Sequence, residues 1–205
     1  MPANEPSYLS GVDVSHYQGE VDWPSVAASG ASFAFIKATD GIDDIDPRFA
    51  QNWAGAKAAG IVRGAYHFFR PRLDAQQQAA HFLRVVAMDD LALPPALDVE
   101  VTDGLDPPAL QAGIRTWLET VQAASGCAPT VYTDPSFWRE NVAGDFSAYP
   151  LWLACYATEP EVPENWEAWT FWQHTDAGNA NGISGRVDLN YCALSYGDLL
   201  KMGAR

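Results

Sequence analysis

Basic residues are scarce in this sequence. Twelve Lys and Arg stand against 26 Asp and Glu in 205 residues, a formal charge of −14. Nucleic-acid binding rests on neutralising phosphates with Lys and Arg, so this balance speaks against it. It speaks equally against adhesion to anionic membranes. Long apolar runs are absent too: no stretch approaches the ~18 apolar residues of a membrane-spanning helix. Cysteine is sparse. Cys127, Cys155 and Cys192 are odd in number and lack CxxC or CxH spacing, so they form no framework. Cys155–Cys192 is a conceivable disulfide, but buried free thiols are the favoured reading. The start, MPANEPSYLSGVDVS, has neither a basic region nor an apolar run, so no secretory signal is expected. No glycine-rich phosphate loop follows the first strand-like run, which lowers nucleotide-binding readings.

What is present is a globular composition, 48% hydrophobic, with eight Trp, eight Tyr and nine Phe. So many aromatics suit either a large core or a cleft with stacking platforms for flat ligands such as sugars. Eight short runs rich in Val, Ile, Phe, Tyr and Trp read as strands: 9–15, 32–39, 61–69, 95–101, 130–134, 151–157, 169–175 and 185–192. In the first half they alternate with helix-like segments. These are Trp23–Ala28, a face of Phe49, Trp53, Ala56 and Lys57, then Ala75–Met88 and Pro108–Ala124; glycines follow the first, second and fourth at Gly30, Gly60 and Gly126. Such alternation predicts a parallel sheet. In the second half TEPEVPENWEA and DAGNANGISG leave no room for crossover helices, so the last strands are expected to be antiparallel neighbours. Eight strands in a chain shorter than the ~250 residues of a regular barrel predict an α/β fold. It is an eight-stranded (β/α)-barrel with a reduced set of outer helices; an open α/β sheet is the alternative. Residues 1–8 read as an N-terminal extension and 9–205 as one catalytic domain.

Four carboxylates sit at strand ends: Asp13 in GVDVS, Asp98 and Glu100 in ALDVEV, and Asp188 in GRVDLN. Acids are disfavoured in strands and costly in a barrel interior. Barrel sites lie at the C-terminal rim, where Asp13, Asp98 and Glu100 fall, and an antiparallel last strand brings Asp188 there. Asp98 and Glu100, one residue apart, share a strand face and repel, so one pKa should rise. A protonated acid beside an ionised one is what glycosidic cleavage requires. The spacing leaves open a retaining pair, an inverting pair, or substrate assistance. In the last case Glu100 protonates the leaving oxygen and Asp98 orients a 2-acetamido group. The bland alternative is a set of solvated acids.

At these residues the sequence resembles the glycoside hydrolase family 25 lysozymes. The motifs are GVDVSHYQGEVDW (11–23), FIKATDG (35–41), FAQNWAGAKAAGIVRGAYHFF (49–69), ALDVE (96–100), VYT (131–133), LWLACY (151–156), WTFWQH (169–174) and VDLN (187–190). The resemblance implies a flattened, irregular β/α barrel that hydrolyses the β-1,4 bond between N-acetylmuramic acid and N-acetylglucosamine in peptidoglycan. It implies Glu100 as proton donor, Asp98 as acetamido stabiliser or nucleophile, and Asp13 and Asp188 as further acids of the site. It implies no cofactor and no metal.

Tyr66, Tyr132, Trp152, Tyr156 and Gln173 alternate at strand ends and are candidates for substrate contact, or else cap the core. Lys37 is expected to form a salt bridge that keeps one carboxylate ionised. His16 and His67 are expected to be structural. Asp40 stands where the family usually has Glu, a position expected to lie behind the site. The expected partners are glycan strands of bacterial peptidoglycan, with the chain a monomer; an immunity protein enters only if it is a secreted effector. The expected place of action is the cell wall, reached by lysis or a non-classical route. Two other readings are weighed against the muramidase: a binding barrel with a dead site, and a metal-dependent polysaccharide deacetylase. Such metal sites typically add histidines, and no HxH or HExxH occurs.

Overall fold

A computed structural model describes residues 8–87 and 93–203. Nine strands form one sheet: β1 (Leu9–Val14), β2 (Ala31–Asp40), β3 (Asp44–Ile45), β4 (Val62–Phe68), β5 (Ala96–Asp98), β6 (Thr130–Thr133), β7 (Leu151–Ala154), β8 (Phe171–Gly178) and β9 (Val187–Cys192). Their order is β1-β9-β8-β7-β6-β5-β4-β2-β3, and a further β1–β2 pairing closes the first eight barrel strands into a ring. The two-residue β3 is an addition to the eight expected runs. It hairpins back on the end of β2, pairing Thr39 with Ile45.

The final β8–β9 pair is antiparallel, as the turn-rich connection predicts. The antiparallel expectation does not extend to β7–β8, which is parallel. Residues 155–170 make that crossover with no helix at all. They are long enough, and they are fastened from within. Trp166 donates its indole N–H to the Tyr149 carbonyl at 2.9 Å and packs edge-on against Trp138, ring centres 4.8 Å apart.

Helices α1 (Trp23–Ala28), α2 (Phe49–Ala58), α3 (Ala75–Val85), α4 (Pro107–Ser125) and α5 (Pro135–Phe137) lie in connections between strands, and α6 (Tyr196–Leu199) follows β9. The expected end of α3 at Met88 lies outside the described residues. Several surplus acids have a local task here. Asp22, Asp74, Asp106 and Asp134 each cap a helix, their side chains accepting an otherwise unpaired backbone N–H. The long α4 ends at Gly126, which adopts a left-handed φ of 76°.

Strand alternation divides the apolar residues into two cores. Outward residues Val12, Val14, Ala34, Ile36, Ala38, Leu97 and Val131 meet the helix faces, including Phe82 of α3 and Leu110, Ile114 and Trp117 of α4. Inward residues Phe33, Phe35, Ala96, Trp152 and Phe171 fill the barrel. That filling is tight. A Cβ on Gly11 or Gly64 would lie 2.6 Å or 2.7 Å from the rings of Phe33 and Phe35, so those strands carry glycine where the rings pass. All three cysteines are free. Cys155 belongs to the outer layer and Cys192 to the interior, on opposite faces of the sheet, so the conceivable pairing does not form.

Candidate active site

The inward face that carries Phe33 and Phe35 in β2 reaches Lys37 two residues on. The same period of two takes Gly11 to Asp13, Gly64 to Tyr66 and Phe68, and Ala96 to Asp98. The apolar plug therefore gives way to polar side chains at one end of the barrel. There they surround a pocket of about 200 Å³ that contains Asp13, Lys37, Tyr66, Asp98, Glu100, Tyr132, Trp152, Gln173 and Asp188 in its lining. Glu100 stands just beyond β5 and faces the mouth.

Asp13 and Asp188 are directly paired across the β1–β9 ladder. Like charges so placed repel. Burial, then the Asp188 charge, push the Asp13 carboxyl well above the usual range. Burial, then the Asp176 charge, raise Asp188 as well. The two carboxyls titrate together, so a proton on one favours the charge on the other. Asp13 is also held from two sides: Asn190 Nδ2 donates to its Oδ2 at 2.7 Å and Gln173 Nε2 donates at 3.0 Å. Both amides are themselves fixed. Asn190 Oδ1 accepts from the Trp152 indole at 2.7 Å, and Gln173 Oε1 accepts from the hydroxyls of Tyr132 at 3.0 Å and Tyr156 at 2.9 Å.

Asp98 has a different environment. It is buried, and its Oδ1 has no hydrogen-bond partner among the described residues. Burial, then the Glu100 charge, raise its pKa, while Lys37 opposes the rise. Glu100 is exposed at the mouth, yet enclosure there still raises its pKa, with Lys37 again opposing.

The other expected residues separate by what they touch. Trp152 is buried, stacked on Phe35 with ring centres 4.2 Å apart, so it is a floor and not an open platform. Tyr66 and Tyr132 are walls whose phenols are held neutral by burial, with the Asp13 and Asp98 charges adding to it. Tyr156 is more than half exposed and touches the network only through its hydroxyl. The salt-bridge partner of Lys37 is Asp40, at 3.1 Å, not one of the four pocket acids. Asp40 also takes a two-pronged contact from Arg70, at 2.7 Å and 3.0 Å. Burial alone would raise the Asp40 pKa; the Arg70 and Lys37 hydrogen bonds outweigh it and hold it low.

His67 faces the helices, between Thr39 and Gln78, and burial drives its pKa down to about 3. His16 binds the buried Asp46 carboxylate. Among the described residues, no group of three or more His, Cys, Asp or Glu is arranged to hold a metal ion. Sequence reasoning missed Asn190, Phe68 and Tyr17. Asn190 was findable: it follows Asp188 by two and so faces the same way.

A closed β/α barrel with carboxyls gathered at one end is the architecture of a glycosidase. The description Glycosyl hydrolases family 25 matches residues 12–183, and the chain belongs to that family. Lysozyme M1 of Streptomyces globisporus is 36% identical over 202 residues, covering 90% of this chain and 67% of that protein. The N,O-diacetylmuramidase of Chalaropsis is 33% identical, covering 88% of this chain and 96% of its own. The crystal structure of the bacterial lysozyme from Streptomyces coelicolor superposes with a TM-score of 0.92 at 35% identity, over 97% of this chain and 98% of that one.

Proposed function

We propose that this chain is a muramidase that hydrolyses the β-1,4 bond between N-acetylmuramic acid and N-acetylglucosamine in bacterial peptidoglycan, acting at the cell wall. The family and the names of its lysozyme and muramidase relatives support the substrate. The observation that carries the residue roles is the unpartnered Oδ1 of Asp98. A buried acceptor without a donor is costly. The N–H of a sugar's 2-acetamido group is a donor that completes it.

In this reading Glu100 is the general acid. Its raised pKa favours the protonated form that the glycosidic oxygen requires. With that proton in place, the largest charge opposing ionisation of Asp98 is gone; burial still opposes it, and Lys37 favours its carboxylate. Asp98 takes the acetamido N–H and turns the carbonyl oxygen toward the anomeric carbon. The bond from that carbon to the leaving sugar breaks as Glu100 protonates the leaving oxygen. The carbonyl oxygen forms the replacing bond, and the resulting oxazolinium charge lies beside Asp98. Water, deprotonated by Glu100, then opens the ring and the configuration is retained. Asp13 and Asp188, both with raised pKa values, keep this side of the pocket from full ionisation. Gln173 and Asn190 fix Asp13, Tyr66 and Tyr132 form walls over the Trp152 floor, and Tyr156 holds Gln173 through its hydroxyl.

Mass spectrometry of digested peptidoglycan tests the bond assignment. Reducing-end muramic acid is expected, and reducing-end glucosamine would overturn it. Activity should persist in excess EDTA; loss reversed by a divalent cation would favour a metal-dependent hydrolase instead.

A further inference from the structure

We propose that Tyr17 is an outer sugar-binding platform, carrying a pyranose unit of the glycan strand beside the acid pocket. The proposal rests on the muramidase reading and adds a residue that recognises the strand away from the bond that breaks. Tyr17 is 82% exposed and lines the same pocket as Asp98, Glu100 and Asp188. An exposed aromatic says little by itself. Here the backbone beneath it is fastened. Ser15 Oγ accepts the Tyr17 N–H at 3.3 Å, and Gln18 Oε1 accepts the Ser15 N–H at 2.9 Å, a reciprocal cap on the turn His16–Gln18. One residue back, His16 binds the buried Asp46 carboxylate twice, through its backbone N–H at 2.9 Å and Nδ1 at 2.8 Å. The Tyr17 ring leans on His16, centres 4.1 Å apart.

A ring on an anchored turn has little freedom left to lose when a ligand arrives. Its chemistry fits one ligand class well. The C–H face of a pyranose is apolar and flat enough to lie on a phenol ring, while the hydroxyl tip stays in water. A neutral contact also suits this molecule. With a formal charge of −14, long-range attraction to an anionic wall is unavailable.

The test titrates a soluble β-1,4-linked pentamer of N-acetylglucosamine into Glu100→Gln protein, alone and combined with Tyr17→Ala or Tyr17→Phe. In parallel, KM and kcat for reducing-end release from peptidoglycan are measured with Glu100 intact. Tyr17→Ala should weaken binding about 3- to 10-fold and raise KM by a similar factor, with kcat within about twofold. Tyr17→Phe, which keeps the ring, should stay near the parent. Unchanged affinity and KM in Tyr17→Ala would overturn the platform, as would a fall in kcat alone. A parent enzyme that releases no reducing ends would instead sink the muramidase reading, with the titration still deciding Tyr17.

Discussion

The carboxylates on the β1–β9 side and those on β5 share a pocket and a chemistry, yet the barrel treats them differently. Asp13 faces Asp188 across a ladder and is gripped by two amides, each tied to a further donor. Asp98 is equally buried but has an oxygen to which the described residues offer nothing. The first pair is finished by the protein itself. The second is finished only when something with an N–H enters. In the proposed reading, hydrogen bonding separates acids that hold the site in shape from acids that act on what fills it.

Mutation of the β5 acids should break this contrast most severely. Glu100→Gln removes the transferable proton and should lower turnover about 100- to 10,000-fold, read as reducing ends released from purified sacculi. Asp98→Asn should follow closely, because the amide cannot balance positive charge and presents a donor where an acceptor is needed. Comparable activity in Asp98→Asn and the parent would end the idea that this oxygen waits for substrate.

On the gripped side the effect should be smaller. Asn190→Ala leaves Asp13 with one amide donor and the Trp152 indole N–H without its acceptor. A loss of about tenfold in kcat is expected. Should Asn190→Ala prove as damaging as Glu100→Gln, the division between the two sides would fail.

The two pairs should agree in one respect, which is their cost to stability. Burial raises the pKa values of Asp13 and Asp98 above those of the unfolded chain. At these two groups the folded state therefore binds protons more tightly, and their contribution to stability is greatest below the unfolded carboxylate range. It is lost progressively as pH rises through the raised values. Melting temperature should be higher in mildly acidic buffer than at neutral pH. Asp98→Asn should flatten that slope and raise the neutral-pH melting point by about 2–4 °C while activity falls. Activity should also decline as pH rises through the raised Glu100 pKa, since a general acid must carry its proton.

Much of this was legible because strands alternate with a period of two. That rule puts Asp13, Asp98 and Asp188 on one face, and acids on that face of a closed sheet must meet. The same rule reaches Asn190, whose side chain was overlooked only because an amide in VDLN draws less notice than the acid before it. The parallel β7–β8 crossover was not legible. Turn-rich composition signals that no helix forms, but not how far an irregular segment travels; that depends on Trp166 finding the Tyr149 carbonyl, a contact between distant residues. Lys37 shows the same limit. A half-buried lysine among acids must pair, but its partner is Asp40, which also binds Arg70, and not one of the pocket acids.

That triad supplies the mildest test of the comparison. Asp40 stands outside both pairs and acts on them through Lys37, whose charge favours ionisation of Asp98 and Glu100, and more weakly through its own charge at Asp98. Asp40→Glu keeps the charge and adds one methylene. Lys37 and Arg70 both lie over the Phe68 ring, with Nζ and Cζ at 4.7 Å and 4.4 Å from its centre, so their positions do not depend on the carboxylate alone. The longer side chain can still meet both cations, and a partly exposed ion pair contributes little to begin with. Turnover should change by less than about fivefold. Asp40→Asn should do more, because it frees Lys37 to favour the carboxylates of Glu100 and Asp98. The alkaline limb of the pH–rate profile would then move to lower pH. An unmoved limb would mean that the Lys37 charge does not govern the β5 acids and that burial alone sets them apart.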